Sequence, residues 1–68
     1  MLNRNELRAE MARKGITQRE LAKIVGVSEK TFIMKMKKGV FGTDEAQIMI
    51  DFLEIQDPAA IFFAKQVT

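Results

Sequence analysis

The chain has 68 residues, of which 47% are apolar, with no cysteine and no histidine. That length suits one domain with a marginal core, and those residue types exclude a disulfide and a Cys/His zinc site, so stability must come from helix packing, with or without self-association. The formal charge of +2 hides a polarity: residues 1–38 hold ten basic against four acidic residues, a net +6, while residues 39–68 hold Lys65 against five acids, a net −4.

Five helices and no strand are predicted. The first runs from about Arg4 to Lys14, capped by Asn3 or Asn5 and stopped by Gly15. Leu7 and Met11, four apart, define its inner face. The second runs from Gln18 to Val25. Thr17 and Glu20 form a T-x-x-E capping box, and Ile16 and Leu21 have the spacing of a hydrophobic staple. Leu21, Ile24 and Val25 make its buried stripe, Ala22 lets another helix approach closely, and Gly26 ends it.

The third helix runs from about Glu29 to Lys37, with Ser28 as N-cap and Val27 anchoring the turn. Phe32 and Met36 point inward. Lys37 and Lys38 lie where the helix dipole favours cations, and Gly39 stops the helix. After a short loop, Val40 to Gly42, Thr43 caps a fourth helix from about Asp44 to Ile55. Asp57-Pro58 then starts a fifth, from about Pro58 to Ala64, with Asp as N-cap and Pro at the first position.

Several functions are disfavoured by what these elements contain. General acid–base catalysis commonly uses histidine or paired carboxylates in a pocket. Here Thr43-Asp44-Glu45 reads as a helix start, and Asp51 and Glu54 lie on a solvated helix face without metal-ligand company. The glycines separate helices and form no phosphate-cradling pattern. No apolar run approaches the ~20 residues that span a bilayer, and the N-terminus lacks the apolar stretch of a signal peptide. The expectation is a soluble, cytoplasmic protein that is not an enzyme and holds no metal, cofactor or small-molecule ligand.

Thr17 to Phe32, TQRELAKIVGVSEKTF, is the most informative stretch. Two short helices with their own N-caps meet there at a glycine, as in a helix-turn-helix whose second helix commonly enters the DNA major groove. Gly26 and Val27 suit the turn. Leu21, Ala22, Val25, Val27 and Phe32 suit the packing. Ser28, Glu29, Lys30 and Thr31 open the second helix with polar side chains, where base edges would be met. The basic first half fits a polyanion partner, although lysines and arginines also simply solvate helix surfaces.

The segment resembles the DNA-binding domain of the Cro/repressor-type (XRE) helix-turn-helix family. Its T-Q-x-x-L-A-x-x-x-G-V-S pattern appears as Thr17, Gln18, Leu21, Ala22, Gly26, Val27 and Ser28. The preceding Leu7, Arg8, Gly15 and Ile16 are similar to the family's first helix. The resemblance is strong over residues 5–39, and the whole chain resembles small phage and prophage regulators of Gram-positive bacteria. It implies an all-α, five-helix, lambda-repressor-like domain that binds double-stranded DNA. By that resemblance Gln18 would hold a phosphate, Ser28, Glu29, Lys30, Ile33 and Met34 would face the major groove, and Thr31, Lys37 and Lys38 would lie near phosphates. The chain departs from the family at Lys35, where many members bury an apolar residue; burial is expected to shift to Met36. Ile33 and Met34 then touch thymine methyl groups, or pack on the fourth helix or a partner.

The fourth helix carries two apolar faces: Ala46, Met49, Ile50 and Leu53, and then Ile48, Phe52 and Ile55. Such a helix is either deeply buried or shared with another chain. The favoured expectation is a two-fold dimer through Ile48, Phe52, Ile55 and Phe62, reading a palindromic operator and forming in solution or only on DNA. The other is that the fifth helix folds back over the second face within the monomer. The leading function is a sequence-specific transcriptional regulator, a Cro-like repressor. The alternatives are the antitoxin of a toxin–antitoxin pair, and a protein-interaction module or anti-repressor that keeps the fold without the DNA contacts.

Overall fold

In the computed structural model, which describes residues 2–63, side-chain oxygens open four of five helices. Helix α1 (Arg4–Lys14) starts where Asn3 Oδ1 accepts from the Glu6 N–H at 3.2 Å. Helix α2 (Gln18–Val25) has the full capping box: Thr17 Oγ1 accepts from the Glu20 N–H at 3.1 Å, and Glu20 Oε1 from the Thr17 N–H at 3.0 Å. Ser28 opens α3 (Glu29–Lys38), which runs one residue past the predicted end, and Asp57 opens α5 (Pro58–Phe62). The predicted end of the fifth helix, Ala64, lies outside the described residues.

Helix α4 (Thr43–Leu53) differs from expectation at both ends. Its N-cap is Gly42, not Thr43. Glu45, three residues on, reaches back to accept the Gly42 N–H at 2.7 Å, which makes half of a capping box. A Cβ at position 42 would come within 2.9 Å of the Asp44 carboxylate and 3.3 Å of Glu45 Oε1, so glycine leaves room for both acids. At the other end the helix stops at Leu53, because Glu54 takes a left-handed conformation at φ 54°. The sequence offers no glycine there to announce the stop.

The early stop redirects the chain beyond it. Ile55 turns inward and is 7% exposed, and its N–H donates to Ile50 O at 3.1 Å. Helix α5 then packs against α1, and the Asn3 N–H donates to Ile61 O at 2.6 Å. Ile61 and Phe62 are buried by this return. Helix α5 thus folds back on α1 rather than over the second face of α4, where Ile48 and Phe52 stay exposed.

The core is continuous across all five helices. It joins Leu7 and Met11, Leu21, Ala22 and Val25, Phe32 and Met36, Ala46, Met49 and Leu53, and Ile55, Ile61 and Phe62. Met36 is buried as the sequence led us to expect, while Ile24, expected in the α2 stripe, is exposed. Ala22 takes its place: at about 100° per residue, the centre of the α2 face falls between Leu21 and Ala22, well away from Ile24. Helix α2 packs on both α3 and α4. Among the described residues there are no strands, and no helix is long and apolar enough to cross a membrane.

Candidate functional site

Between α2 and α3 the chain turns in three residues, Gly26, Val27 and Ser28. Gly26 has φ 94°, open to glycine at little cost. The N–H groups of Gly26 and Val27 both return to Ala22 O, at 2.9 and 3.0 Å. They satisfy a carbonyl at the end of α2 and fix the direction in which α3 leaves.

Phe32 and Met36 then hold α3 by its inner side. Phe32 is fully buried, with its ring 5.4 Å from that of Phe41. Successive residues turn by about 100°, so Lys30, Met34 and Lys37 fall on the opposite side. Ile33 lies on one flank of that face. Thr31, Lys35 and Lys38 share the other. Lys30, Ile33, Met34, Lys37 and Lys38 are exposed, and Thr31 and Lys35 are half-buried. Thus Ile33 and Met34 do not enter the core.

The first turn of α3 is more committed than its exposure suggests. Ser28 Oγ accepts the Thr31 N–H at 3.1 Å, and its hydroxyl donates to Thr31 Oγ1 at 2.9 Å. Ser28 keeps only one acceptor lone pair for a ligand. Thr31 keeps its hydroxyl proton and remains a donor, the role suited to a phosphate oxygen. Glu29 is exposed in the same turn. Gln18, half-buried, sits at the first position of α2, where backbone N–H groups lack intrahelical acceptors.

The cations of the first half divide into two groups that sequence does not separate. Three are engaged with acids. Arg13 pairs with Glu10 at 2.7 Å and also donates to Leu53 O at 2.8 Å, capping the last carbonyl of α4. Lys14 pairs with Glu54 at 2.8 Å, its ammonium 5.8 Å from the centre of the Phe52 ring. Lys35 pairs with the buried Glu45. Among the described residues, Arg4, Arg8, Arg19, Lys23, Lys30, Lys37 and Lys38 make no ion pair. Against these seven cations the first half keeps three acids outside ion pairs, Glu6, Glu20 and Glu29, so its uncompensated charge is +4 rather than +6, and α3 carries three of the seven cations.

No family model, curated protein or solved structure matches the chain. The side chains of α3 themselves define what it can bind. The helix presents ammonium donors, one carboxylate and two apolar side chains on one element. Among the described residues no group of three His, Cys, Asp or Glu side chains could hold a metal ion.

Of the residues expected at a dimer interface, Ile48 and Phe52 remain on the surface of α4, each 37% exposed. Ile55 and Phe62 do not. Both belong to the core, and a partner could reach them only by displacing the turn at Glu54 and α5.

Three carboxyl groups titrate below their ordinary range. The Thr17 backbone N–H, then the Thr17 hydroxyl, holds Glu20 down. Lys35, then the Gly42 N–H, does so for Glu45, and Lys14 does so for Glu54. A carboxyl lowered in the folded state contributes stability above its unfolded value, here about 4.5, and loses it as pH falls through the folded value. With no histidine to titrate near neutrality, melting temperatures should be nearly flat from about pH 7 to 5 and fall below about pH 4.5. A melting temperature that rises on acidification would contradict these assignments.

Proposed function

We propose that this protein is a sequence-specific double-stranded DNA-binding transcriptional regulator of the Cro/repressor helix-turn-helix type, acting in the cytoplasm with α3 in the major groove. The observation that carries this reading is the outward face of α3. Lys30, Met34 and Lys37 are aligned there, opposite a fully buried Phe32, on a helix whose entry is fixed by a three-residue turn. Lys30 can donate to guanine O6 and N7, Glu29 can accept from cytosine N4, and Met34 can touch a thymine methyl. Thr31, Lys37, Lys38 and Gln18 supply the sequence-blind phosphate contacts that position the helix.

Exposed Ile48 and Phe52 support a two-fold dimer through α4, narrower than a four-residue interface and suited to pairing on DNA. Such a dimer sets two α3 helices about 34 Å apart and acts by occupying a palindromic operator. A second reading, a protein-binding module of the anti-repressor kind, draws on the apolar exposure of Ile33 (39%) and Met34 (47%). The deciding experiment is selection of bound duplexes from a random library at physiological salt, where non-specific affinity is only about 10⁻⁴–10⁻⁶ M. An enriched palindrome is expected. A single enriched half-site would remove the dimer but keep the function. No enrichment by folded protein would favour the protein-binding reading.

A further inference from the structure

The flank of α3 formed by Thr31, Lys35 and Lys38 has the i, i+4, i+7 spacing of one helical stripe. If α3 lies in a groove, a stripe beside the reading face runs along phosphates. Two of its members are free to meet them: Thr31 has an available hydroxyl proton, and Lys38 makes no ion pair among the described residues. The central cation is different. The Lys35 ammonium is held by Glu45 Oε2, and the other oxygen of that carboxylate accepts the Gly42 N–H at 2.7 Å. Glu45 is itself 9% exposed. It is anchored to the start of its own helix and cannot follow the lysine outward.

We infer that Glu45 withholds Lys35 from phosphate, and so acts as a positioning residue that limits sequence-blind, salt-dependent binding. The inference rests on the DNA-binding reading above. The physical argument is competition. An ammonium reaching a phosphate releases about one condensed counterion and adds affinity to every sequence alike. A fixed internal carboxylate already supplies that partner, so moving Lys35 to phosphate trades one charge-assisted hydrogen bond for another and strands a buried anion. Lys35 thus stays off the backbone. Duplex affinity is lower, and its salt dependence shallower, than it would be with three adhesive groups in line, on every sequence alike. Glu45 acts only through Lys35 and touches no ligand.

The test is the salt dependence of binding to a random-sequence duplex, with folding of each variant checked by circular dichroism. Glu45→Gln keeps a carbonyl oxygen for the Gly42 N–H but removes the charge that holds Lys35. It should steepen the slope of log affinity against log salt by about 0.9, so that affinity falls about threefold more between 50 and 200 mM salt than in the parent. Lys35→Gln should leave the parent slope unchanged, and the double variant should match the parent. A slope about 0.9 shallower in Lys35→Gln would mean that Lys35 already contacts phosphate and would overturn the inference. An unchanged slope in Glu45→Gln, with only a lower melting temperature, would also overturn it, leaving the pair as a brace between α3 and α4. A parent protein with no salt-dependent duplex binding would overturn the DNA-binding reading itself, and the inference with it.

Discussion

Phe32→Ala is expected to remove most of the stability of this domain. Phe32 is fully buried at the centre of α3, with the Phe41 ring 5.4 Å away, and it lies in a core shared by all five helices. Truncating a buried phenylalanine typically costs about 3–5 kcal/mol, from lost transfer energy and the cavity left behind. At about 0.05–0.15 kcal/mol per residue, a domain of this size has only about 3–10 kcal/mol to lose. Each 1 kcal/mol lowers the melting temperature of a domain of 60–100 residues by about 4–8 °C. Thermal melts should therefore show a fall of more than about 12 °C, or no cooperative transition. Phe63→Ala is the matched control, because Phe63 is 66% exposed. Truncation there should change stability by no more than about 0.5 kcal/mol. Equal effects at the two positions would mean that the core is not centred on Phe32.

The same residue links stability to the surface proposed to bind. Phe32 and Met36 set the rotation of α3, and with it the direction of Lys30, Met34 and Lys37. Any change that lets α3 roll alters which side chains face outward before it removes any of them. Binding measurements on core variants thus report both folding and aim, and only folded variants speak to individual contacts.

Helix starts were legible in sequence because capping is local chemistry. Asn3, Thr17, Ser28 and Asp57 each sit one residue before a helix and bond to its first turn. The errors cluster where a backbone choice lacks such a side-chain signature. Gly42 caps α4 through the reach of Glu45, three residues ahead. Glu54 adopts a left-handed conformation that its type rarely announces. Without that stop, Ile55 reads as part of a second apolar face of α4 and Phe62 as a partner contact, although the chain itself buries both. On α3, the periodicity of Phe32 and Met36 sufficed to find the outward face. It could not show that Lys35, ten residues before Glu45 across a loop, is engaged with it, or that Arg13 and Lys14 serve the end of α4. Those contacts depend on how helices pack, which no single stretch of sequence encodes.

Lys30→Ala carries the largest effect expected at the binding surface itself. Lys30 lies near the N-terminal end of α3, exposed and without an ion pair among the described residues. This is the part of a recognition helix that commonly meets base edges. Its ammonium has three donors, enough to address guanine O6 and N7 together. Its removal should cost about 1–3 kcal/mol on the selected operator and relax selectivity at one base position, a loss of roughly 5- to 150-fold in affinity. The helix loses no cap and no buried atom, so stability should stay within about 0.5 kcal/mol of the parent. Lys37→Ala is the comparison that separates reading from adhesion. Loss of a phosphate contact there should weaken all duplexes about equally and make the salt slope about one unit shallower. If Lys30→Ala behaves in that second way, Lys30 lies along the backbone. It would then supply adhesion and read no base.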